Sequence, residues 1–188
     1  MHKISTGVLG ASGYTGRELC GLVLGHPSLE LTFASASSQA GTKAHLGGRE
    51  INFISTEDAP LSNAGLIFSA LPHGASAEWS RRAADAGAKV VDLSSDLRPG
   101  NGDGEGVPYG LTELMRSSVR SASVVANPGC YPTAVLIALA PLIKRGLTAP
   151  GATISISAAS GVTGAGFTPR PDLMFAEVTE DFRAYALG

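Results

Sequence analysis

Short apolar runs rich in β-branched residues alternate along this chain with longer segments of helical periodicity. The short runs predict strands at residues 3–9, 29–34, 65–69, 89–93, 123–126 and 153–158. The longer segments predict helices at residues 16–24, 75–86, 111–116 and 133–145. Strands such as GLIFSA and AKVVDLS are apolar almost throughout, which is typical of parallel strands covered by helices on both faces. The pattern therefore predicts an α/β fold.

The clearest break in this pattern is RGLTAPGA, residues 145–152. Gly146 ends the last long helical segment, and Pro150 precedes the next apolar run. We expect one domain over residues 1–148 and the start of a second domain over residues 149–188. The second stretch is short for a domain with a hydrophobic core of its own, so we expect it to be incomplete.

The stretch GASGYTG lies between the first predicted strand and the first predicted helix. Its glycines, Gly10, Gly13 and Gly16, favour the phosphate-binding turn of a Rossmann-type, doubly wound parallel sheet. Gly10 would allow the tight turn, Gly13 the approach of a pyrophosphate, and Gly16 close packing of helix on strand. The turn's other polar residues would line the phosphates at the helix N-terminus: Ser12, Tyr14 and Thr15. A plain strand-to-helix turn is the alternative.

The second predicted strand runs into FASASSQAGTKA, which contains no acidic residue. NAD enzymes place an Asp or Glu near this point to bind the ribose 2′-hydroxyl. Ser35, Ser37 and Ser38 offer hydroxyl groups without a repelling carboxylate, and Lys43 adds positive charge. We therefore expect the cofactor to be NADP rather than NAD. A serine-rich surface loop is the alternative.

A cysteine, Cys130, follows the Asn-Pro-Gly turn at residues 127–129 and precedes an apolar helical segment. Pro132 suits the first turn of that helix. The thiol is thus expected at a helix N-terminus, which favours the nucleophilic thiolate, and at the carboxyl edge of the sheet, where α/β sheets bind ligands. Cys20 lies in an apolar helical pattern and is expected in the core. For Cys130, a buried structural thiol is the alternative.

Composition and charge exclude several classes of partner. The chain has 188 residues, 44% of them hydrophobic, and a formal net charge of -2 with the charged residues well mixed. We therefore expect no binding to nucleic acid or to a membrane surface, and a small molecule as the ligand. The longest apolar run, residues 134–143, is too short to cross a bilayer, and no secretory signal is evident.

The cysteines and histidines are also sparse. The two cysteines lie far apart in the sequence, so we expect both to be reduced in a cytoplasmic protein. The four histidines have no paired spacing with one another or with cysteine, so we expect no metal site: His2, His26, His45 and His73.

Six motifs occur in an order that resembles the N-acetyl-γ-glutamyl-phosphate reductases, relatives of aspartate-semialdehyde dehydrogenase: GASGYTG, LPHGAS, VDLSSDLR, YGLTEL, NPGCYPT and SGVTGAG. The resemblance implies NADPH-dependent reductive dephosphorylation of an acyl phosphate to a semialdehyde in arginine biosynthesis. It implies that Cys130 is the nucleophile and forms a thioester. Related acyl phosphates, aminoadipyl or aspartyl, remain open, as does an NADP-binding module without turnover.

The resemblance also implies further site residues. Leu71, Pro72 and His73 would lie beside the nicotinamide, and Ser94 would also contact the cofactor. The substrate would be bound by residues of the later motifs: Asn127, Ser160 and Gly161. We interpret His73 as a turn residue rather than as an acid/base. The acidic residues of VDLSSDLR, Asp92 and Asp96, are expected to cap loops and to form an ion pair with Arg98.

The chain departs from the family pattern in two places. Phe167 stands where similar proteins carry a basic residue, and Arg170 follows three residues later. The family's acid/base histidine is expected beyond Gly188, in an α+β substrate and dimerisation domain of which residues 149–188 are the start. The resemblance implies a homo-oligomer for the complete protein.

Overall fold

A computed structural model describes residues 2–184. The chain divides into two compact units, Met1–Ile156 and Ser157–Gly188. The first unit contains the parallel sheet, the glycine turn and Cys130. The second contains short 3-10 helices at Val162–Ala165 and Pro171–Leu173 and one short α-helix.

In the first unit, strands and helices alternate along the chain. Its seven strands are β1 (Ile4–Leu9), β2 (Leu29–Ala34), β3 (Lys43–Leu46), β4 (Arg49–Asn52), β5 (Leu66–Ser69), β6 (Lys89–Asp92) and β7 (Val124–Ala126). Its helices are α1 (Tyr14–Gly25), α2 (Ser76–Asp85), α3 (Thr112–Ser121) and α4 (Cys130–Lys144), and the second unit adds α5 (Phe175–Val178). In the described part of the chain, no helix is long and apolar enough to cross a membrane.

Five strands form one sheet in the order β2-β1-β5-β6-β7, and every neighbouring pair is parallel. The α/β, doubly wound prediction is therefore confirmed. The chain passes from β1 to β2 on one side and later returns to β5 on the other side of β1. The carboxyl ends of β1 and β5 thus border the switch point of the sheet, where doubly wound folds bind their ligands.

Both faces of the sheet are buried at the carboxyl half of β1. Val8 and Leu9, adjacent on β1, are both fully buried, and adjacent strand residues face opposite sides. Leu9 belongs to a cluster with Phe33 and Ile67, whereas Val8 belongs to a second cluster with Cys20. Burial on both faces explains why these strands are apolar almost throughout.

Five of the six predicted strands form, and the hairpin β3–β4 was not predicted. Its strands have only four residues each, with exposed charged positions, which gives a weak apolar signal. The turn itself was a usable signal, because Gly47 and Gly48 both have positive φ, as a two-residue hairpin turn requires. Helix α3 runs to Ser121, beyond its predicted end, and α4 begins at Cys130 rather than at residue 133.

The strand predicted at residues 153–158 is wrong. This segment has no regular secondary structure and is exposed, and it forms no ladder with any described residue. Its alternation of Thr, Ile and Ser is typical of a strand, yet a strand is stabilised only when a neighbour pairs with it. The boundary between the two units falls within this segment.

Candidate active site

The glycine turn after β1 is shaped by contacts that leave no room for side chains. Gly10 has a φ of +74°, and a Cβ added there would lie 2.5 Å from the carbonyl oxygen of Ala70. A Cβ on Gly16 would overlap the Gly10 carbonyl oxygen and lie 2.6 Å from the Cα of Ala11. The turn therefore packs tightly against both the start of α1 and the segment after β5.

The outer side of the same turn is open. A Cβ on Gly13 would meet only the Gly10 oxygen, at 3.9 Å. Gly13 caps α1, and no side chain caps this helix end among the described residues. Ser12 is half-buried, while Tyr14 and Thr15 are exposed. No side chain at Gly13 therefore covers the first backbone N–H groups of α1, and this arrangement is suited to binding a phosphate.

The three serines after β2 differ in their surroundings. Ser35 is fully buried, and its Oγ lies 3.2 Å from Thr56 Oγ1 in a hydrogen bond. Its carbonyl accepts a 2.7 Å hydrogen bond from the Ala11 N–H, which ties this loop to the glycine turn. Ser37 and Ser38 are exposed. The two exposed hydroxyl groups are accessible to a ligand, whereas that of Ser35 serves the fold.

Lys43, the positive charge expected beside these serines, belongs to strand β3. Its Nζ donates a 2.7 Å hydrogen bond to Glu50 Oε1 on β4. This exposed pair is a cross-strand contact of the hairpin. The structure thus pairs the Lys43 charge with a carboxylate of the hairpin.

The segment after β5 meets the glycine turn at the switch point. The Ala70 N–H donates a 2.8 Å hydrogen bond to the Leu9 carbonyl oxygen. Leu71 is buried in the core cluster that contains Leu9, whereas Pro72 and His73 are exposed. Of the three residues predicted to lie beside the nicotinamide, two are accessible and the third anchors the segment.

A buried carboxylate, Asp92, links the segments that follow β5 and β6. Its Oδ1 accepts hydrogen bonds from Ser76 Oγ at 2.5 Å and from the Ser94 N–H at 3.0 Å. Its Oδ2 accepts from Ser94 Oγ at 2.9 Å, and Ser76 Oγ also lies 2.6 Å from Ser69 Oγ. Ser94, predicted to contact the cofactor, is buried in this network and therefore orders the edge of the sheet.

A second carboxylate, Asp96, caps helix α2. Its oxygens accept hydrogen bonds from the N–H groups of Gly74, Ser76 and Ala77 at 2.9 to 3.2 Å. Partial burial opposes ionisation, but these N–H donors and the charge of His73 together lower the pKa of Asp96 below its ordinary value of 3.8. The N-terminus of α2 is thus already satisfied by a carboxylate of the protein.

Replacing Asp96 with Ala should destabilise the fold by about 1–2 kcal/mol at pH 7, because α2 loses its cap. Since the folded-state pKa is lowered, this stabilisation is complete above the ordinary pKa and disappears as the pH falls through the folded value. Urea unfolding should therefore show a smaller difference from the unmodified chain at pH 3.

The matched control is Asp85→Ala, which removes an exposed carboxylate from the last residue of the same helix. It should be neutral or slightly stabilising, because a negative charge is unfavourable at a helix C-terminus. An Asp96→Ala effect that is the same at pH 3 and pH 7 would show that the carboxylate charge contributes nothing.

His73 and Arg98 both form hydrogen bonds with the backbone of neighbouring loops. His73 Nδ1 accepts a 2.9 Å hydrogen bond from the Ser95 N–H, so the ring joins two loops. Arg98 donates from Nε to the Asn127 carbonyl at 3.0 Å and from Nη2 to the Leu93 carbonyl at 2.9 Å. The predicted ion pair of Arg98 with these carboxylates is wrong, because Asp92 accepts from serine hydroxyls and the Ser94 N–H, and Asp96 accepts from backbone N–H groups at the start of α2.

Cys130 lies where the sequence predicts it, at the carboxyl edge of the sheet and at a helix N-terminus. It is the first residue of α4, follows Gly129 as the N-cap, and its thiol is exposed. The preceding turn is fixed by the Asn127 N–H, which donates to the Asp92 carbonyl at 2.7 Å, and by Arg98. A Cβ on Gly129 would lie 3.1 Å from Arg98 Nη1.

The remaining predicted substrate residues fall in different surroundings. The Asn127 side chain donates to the Pro128 carbonyl at 3.0 Å and is half-buried. In the second unit, Ser160 Oγ donates to the Gly161 carbonyl at 3.2 Å, and both residues are exposed. Arg170 forms a 2.6 Å ion pair with Asp172.

The sequence analysis did not predict that Arg98 joins the ends of β6 and β7 through hydrogen bonds to the Leu93 and Asn127 carbonyls. The signal available was an arginine six residues after the buried Asp92, on the same side of the sheet as the cysteine turn. No cluster of three or more metal-ligating side chains occurs within residues 2–184.

A doubly wound sheet with a glycine turn after β1 is the arrangement of a nucleotide-binding domain. Residues 5–122 match the family described as "Semialdehyde dehydrogenase, NAD binding domain", and residues 130–188 match "Semialdehyde dehydrogenase, dimerisation domain". The chain belongs to the semialdehyde dehydrogenase family.

Within this family, the chain is similar to proteins named N-acetyl-γ-glutamyl-phosphate reductase, which confirms the resemblance seen in the motifs. It is 43% identical over 203 residues to that of Salinispora arenicola and 39% identical over 207 residues to that of Moorella thermoacetica. Each match covers 98% of this chain and 60% of the relative. The chain thus spans about 60% of the length of these relatives.

Solved structures of aspartate semialdehyde dehydrogenases share the fold. Enzyme II of Vibrio cholerae, complexed with ASA, matches with a TM-score of 0.69 and 22% identity, over 88% of this chain and 49% of that one. The enzyme of Candida albicans, with NADP, matches with a TM-score of 0.61 and 20% identity, over 76% and 47%. At these identities the likeness concerns the fold alone.

Proposed function

We propose that this chain carries the cofactor domain and the nucleophile of an N-acetyl-γ-glutamyl-phosphate reductase of arginine biosynthesis. The reaction would be the NADPH-dependent reductive dephosphorylation of N-acetyl-γ-glutamyl phosphate to N-acetylglutamate semialdehyde. The observation that supports it most directly is the exposed Cys130 thiol at the N-terminus of α4, on the carboxyl edge of the sheet. The names of the relatives support the substrate.

The residues present fit a dinucleotide. Gly13 leaves the start of α1 open, and Gly10 and Gly16 allow the close contacts that form the turn. No acidic residue lies between β2 and β3, and Ser37 and Ser38 are exposed there. We assign the pyrophosphate to the glycine turn and the 2′-phosphate of NADP to this loop. Pro72 and His73, exposed at the end of β5, would lie beside the nicotinamide.

The chemistry begins at Cys130. Its thiolate attacks the acyl carbon, the bond from that carbon to the phosphate oxygen breaks, and inorganic phosphate leaves a thioester on Sγ. Backbone N–H groups at the start of α4 are the donors suited to the oxyanion that forms during the attack. When bound, the cofactor supplies the hydride that reduces the thioester carbon. The thiol is released again when the resulting thiohemiacetal gives the aldehyde.

The turn that carries Cys130 is held by groups outside the reaction. Arg98 and the Asp92 carbonyl fix Asn127, and thereby orient the first residue of α4. His73 has no proton-transfer role in this proposal, because its Nδ1 accepts from the Ser95 backbone. Arg98 and Asp92 thus hold the Cys130 turn in a fixed geometry. Such positioning of a nucleophile accounts for a large part of the rate gain in intramolecular reactions.

We also propose a homo-oligomer in the cytoplasm as the working form. The match to a dimerisation domain supports association. A reducing compartment would keep the exposed Cys130 thiol free, as a nucleophile requires.

The test is acylation of the thiol. Incubation with N-acetyl-γ-glutamyl phosphate without cofactor should add the acyl group to the peptide that contains Cys130, detected by mass spectrometry. Adding NADPH should discharge it and oxidise the cofactor. Cys130→Ser should prevent both, whereas Cys20→Ala should preserve them. Acylation of another residue, or faster turnover of aspartyl or aminoadipyl phosphate, would contradict the assigned nucleophile or substrate respectively.

A further inference from the structure

We propose that Arg17 selects NADP over NAD by binding the 2′-phosphate between the glycine turn and the loop that follows β2. This inference rests on the proposed use of NADP. Arg17 lies on the first turns of α1 and is half-buried. It was not among the residues predicted from the sequence.

The guanidinium of Arg17 bridges the two segments that would enclose the adenosine end of the cofactor. Its Nε donates a 2.9 Å hydrogen bond to the Ser12 carbonyl in the glycine turn. Its Nη2 donates a 3.2 Å hydrogen bond to Gln39 Oε1 in the loop after β2. The same loop is tied to the turn by the hydrogen bond between Ala11 and Ser35. Arg17 therefore lies beside the loop after β2, where proteins of this fold recognise the 2′ group of the adenosine ribose.

The chemistry of this point suits a phosphate. Gln39 Oε1 is a neutral amide oxygen, and a dianionic phosphate is a stronger acceptor for a guanidinium than an amide is. Ser37 and Ser38, exposed beside Gln39, would add hydroxyl donors. The phosphate would replace Gln39 at Nη2, while the Nε contact to Ser12 holds the side chain in position.

Lys43 is the competing source of positive charge. Its ammonium lies on the hairpin, where it is paired with Glu50 at 2.7 Å. Arg17 contacts both the glycine turn and the loop after β2, whereas Lys43 is a residue of the hairpin strand. The observed contacts therefore favour Arg17.

The experiment compares nucleotides that differ only in the 2′-phosphate. Isothermal titration would measure 2′,5′-ADP against 5′-AMP, and NADP⁺ against NAD⁺, on the full chain. The unmodified chain should prefer the phosphorylated ligand of each pair. Arg17→Gln should lower affinity for the phosphorylated ligands by about tenfold to a hundredfold, the effect of losing a charged hydrogen bond, and leave 5′-AMP and NAD⁺ unchanged. Arg17→Lys should lower the affinity for the phosphorylated ligands less than Arg17→Gln does, and Lys43→Gln should leave that affinity almost unchanged.

A second variant leaves Arg17 in place. Gln39→Glu keeps the size of the side chain but places a carboxylate beside the Arg17 guanidinium. It should therefore selectively lower the affinity for the phosphorylated ligands. This variant tests the inference even if Arg17→Gln does not fold.

The outcomes separate the two proposals. An unmodified chain without preference for the 2′-phosphate would overturn the NADP assignment itself. A preference that survives both Arg17→Gln and Gln39→Glu would overturn only the role of Arg17. Equal weakening of phosphorylated and unphosphorylated ligands would show that Arg17 merely supports the turn through Ser12. Loss of the preference in Lys43→Gln alone would assign it to the hairpin.

Discussion

Cys130 should react with iodoacetamide at pH 7.5 at least about a thousandfold faster than Cys20, since the reagent attacks only an accessible thiolate. Cys130 is exposed at the start of α4, whereas Cys20 is fully buried in α1. Burial raises the pKa of the Cys20 thiol to about 11. Fewer than about one in a thousand such thiols is ionised at this pH, and that fraction is shielded from the reagent as well.

Peptide mass spectrometry over a time course gives both rates in one sample. Labelling of Cys20 should appear only with denaturant, which removes the burial and equalises the two thiols. Cys20→Ala provides the control, because Cys130 should be labelled in it at the unmodified rate. Equal slow labelling of the two native thiols would return Cys130 to the class of structural cysteines and remove the proposed nucleophile.

Gly16→Ala should cost about 3 kcal/mol or more of folding free energy and abolish nucleotide binding. The added Cβ would lie 2.6 Å from the Ala11 Cα and would overlap the Gly10 carbonyl. Both obstacles are backbone atoms of the glycine turn, so the clash is relieved only by moving the turn or lifting α1 from the sheet. Either movement would displace the N–H groups that would meet the pyrophosphate.

Gly21→Ala is the matched control on the same helix, because nothing lies within 4 Å of the Cβ it adds. It should stabilise the protein by about 0.5–1 kcal/mol, the usual difference between Ala and Gly in a helix. Urea unfolding and NADP⁺ titration of both variants provide the comparison. A Gly16→Ala protein as stable as Gly21→Ala would mean that the close packing of turn and helix is unimportant.

The strands of the main sheet could be predicted because each places apolar residues at buried or half-buried positions, on both faces in β1 and at alternate positions at the start of β2. The hairpin β3–β4 has one exposed, charged side, as the Lys43–Glu50 pair shows, and so lacks that signal. The segment at residues 153–158 shows the opposite case. Its alternating pattern suits a strand, but pairing depends on a neighbour that a local pattern does not reveal.

The candidate site could be predicted where it depends on local geometry. The glycine turn and the placement of Cys130 follow from residues adjacent in sequence, whose conformational demands are strong. The partners of the polar side chains could not be predicted in this way. Whether Ser35 is buried against Thr56, or Arg98 binds carbonyls rather than a carboxylate, depends on distant segments that meet only in the folded chain.

The position of β1 in the sheet also affects how the chain folds during its synthesis on the ribosome. β1 is made before both of the strands that pair with it, Ile4 with Leu29 on β2 and Thr6 with Leu66 on β5. One edge of this apolar strand therefore has no partner until β5 has been synthesised. An unpaired strand edge invites pairing with other chains, so the interval before β5 emerges is when a nascent chain is most prone to aggregate.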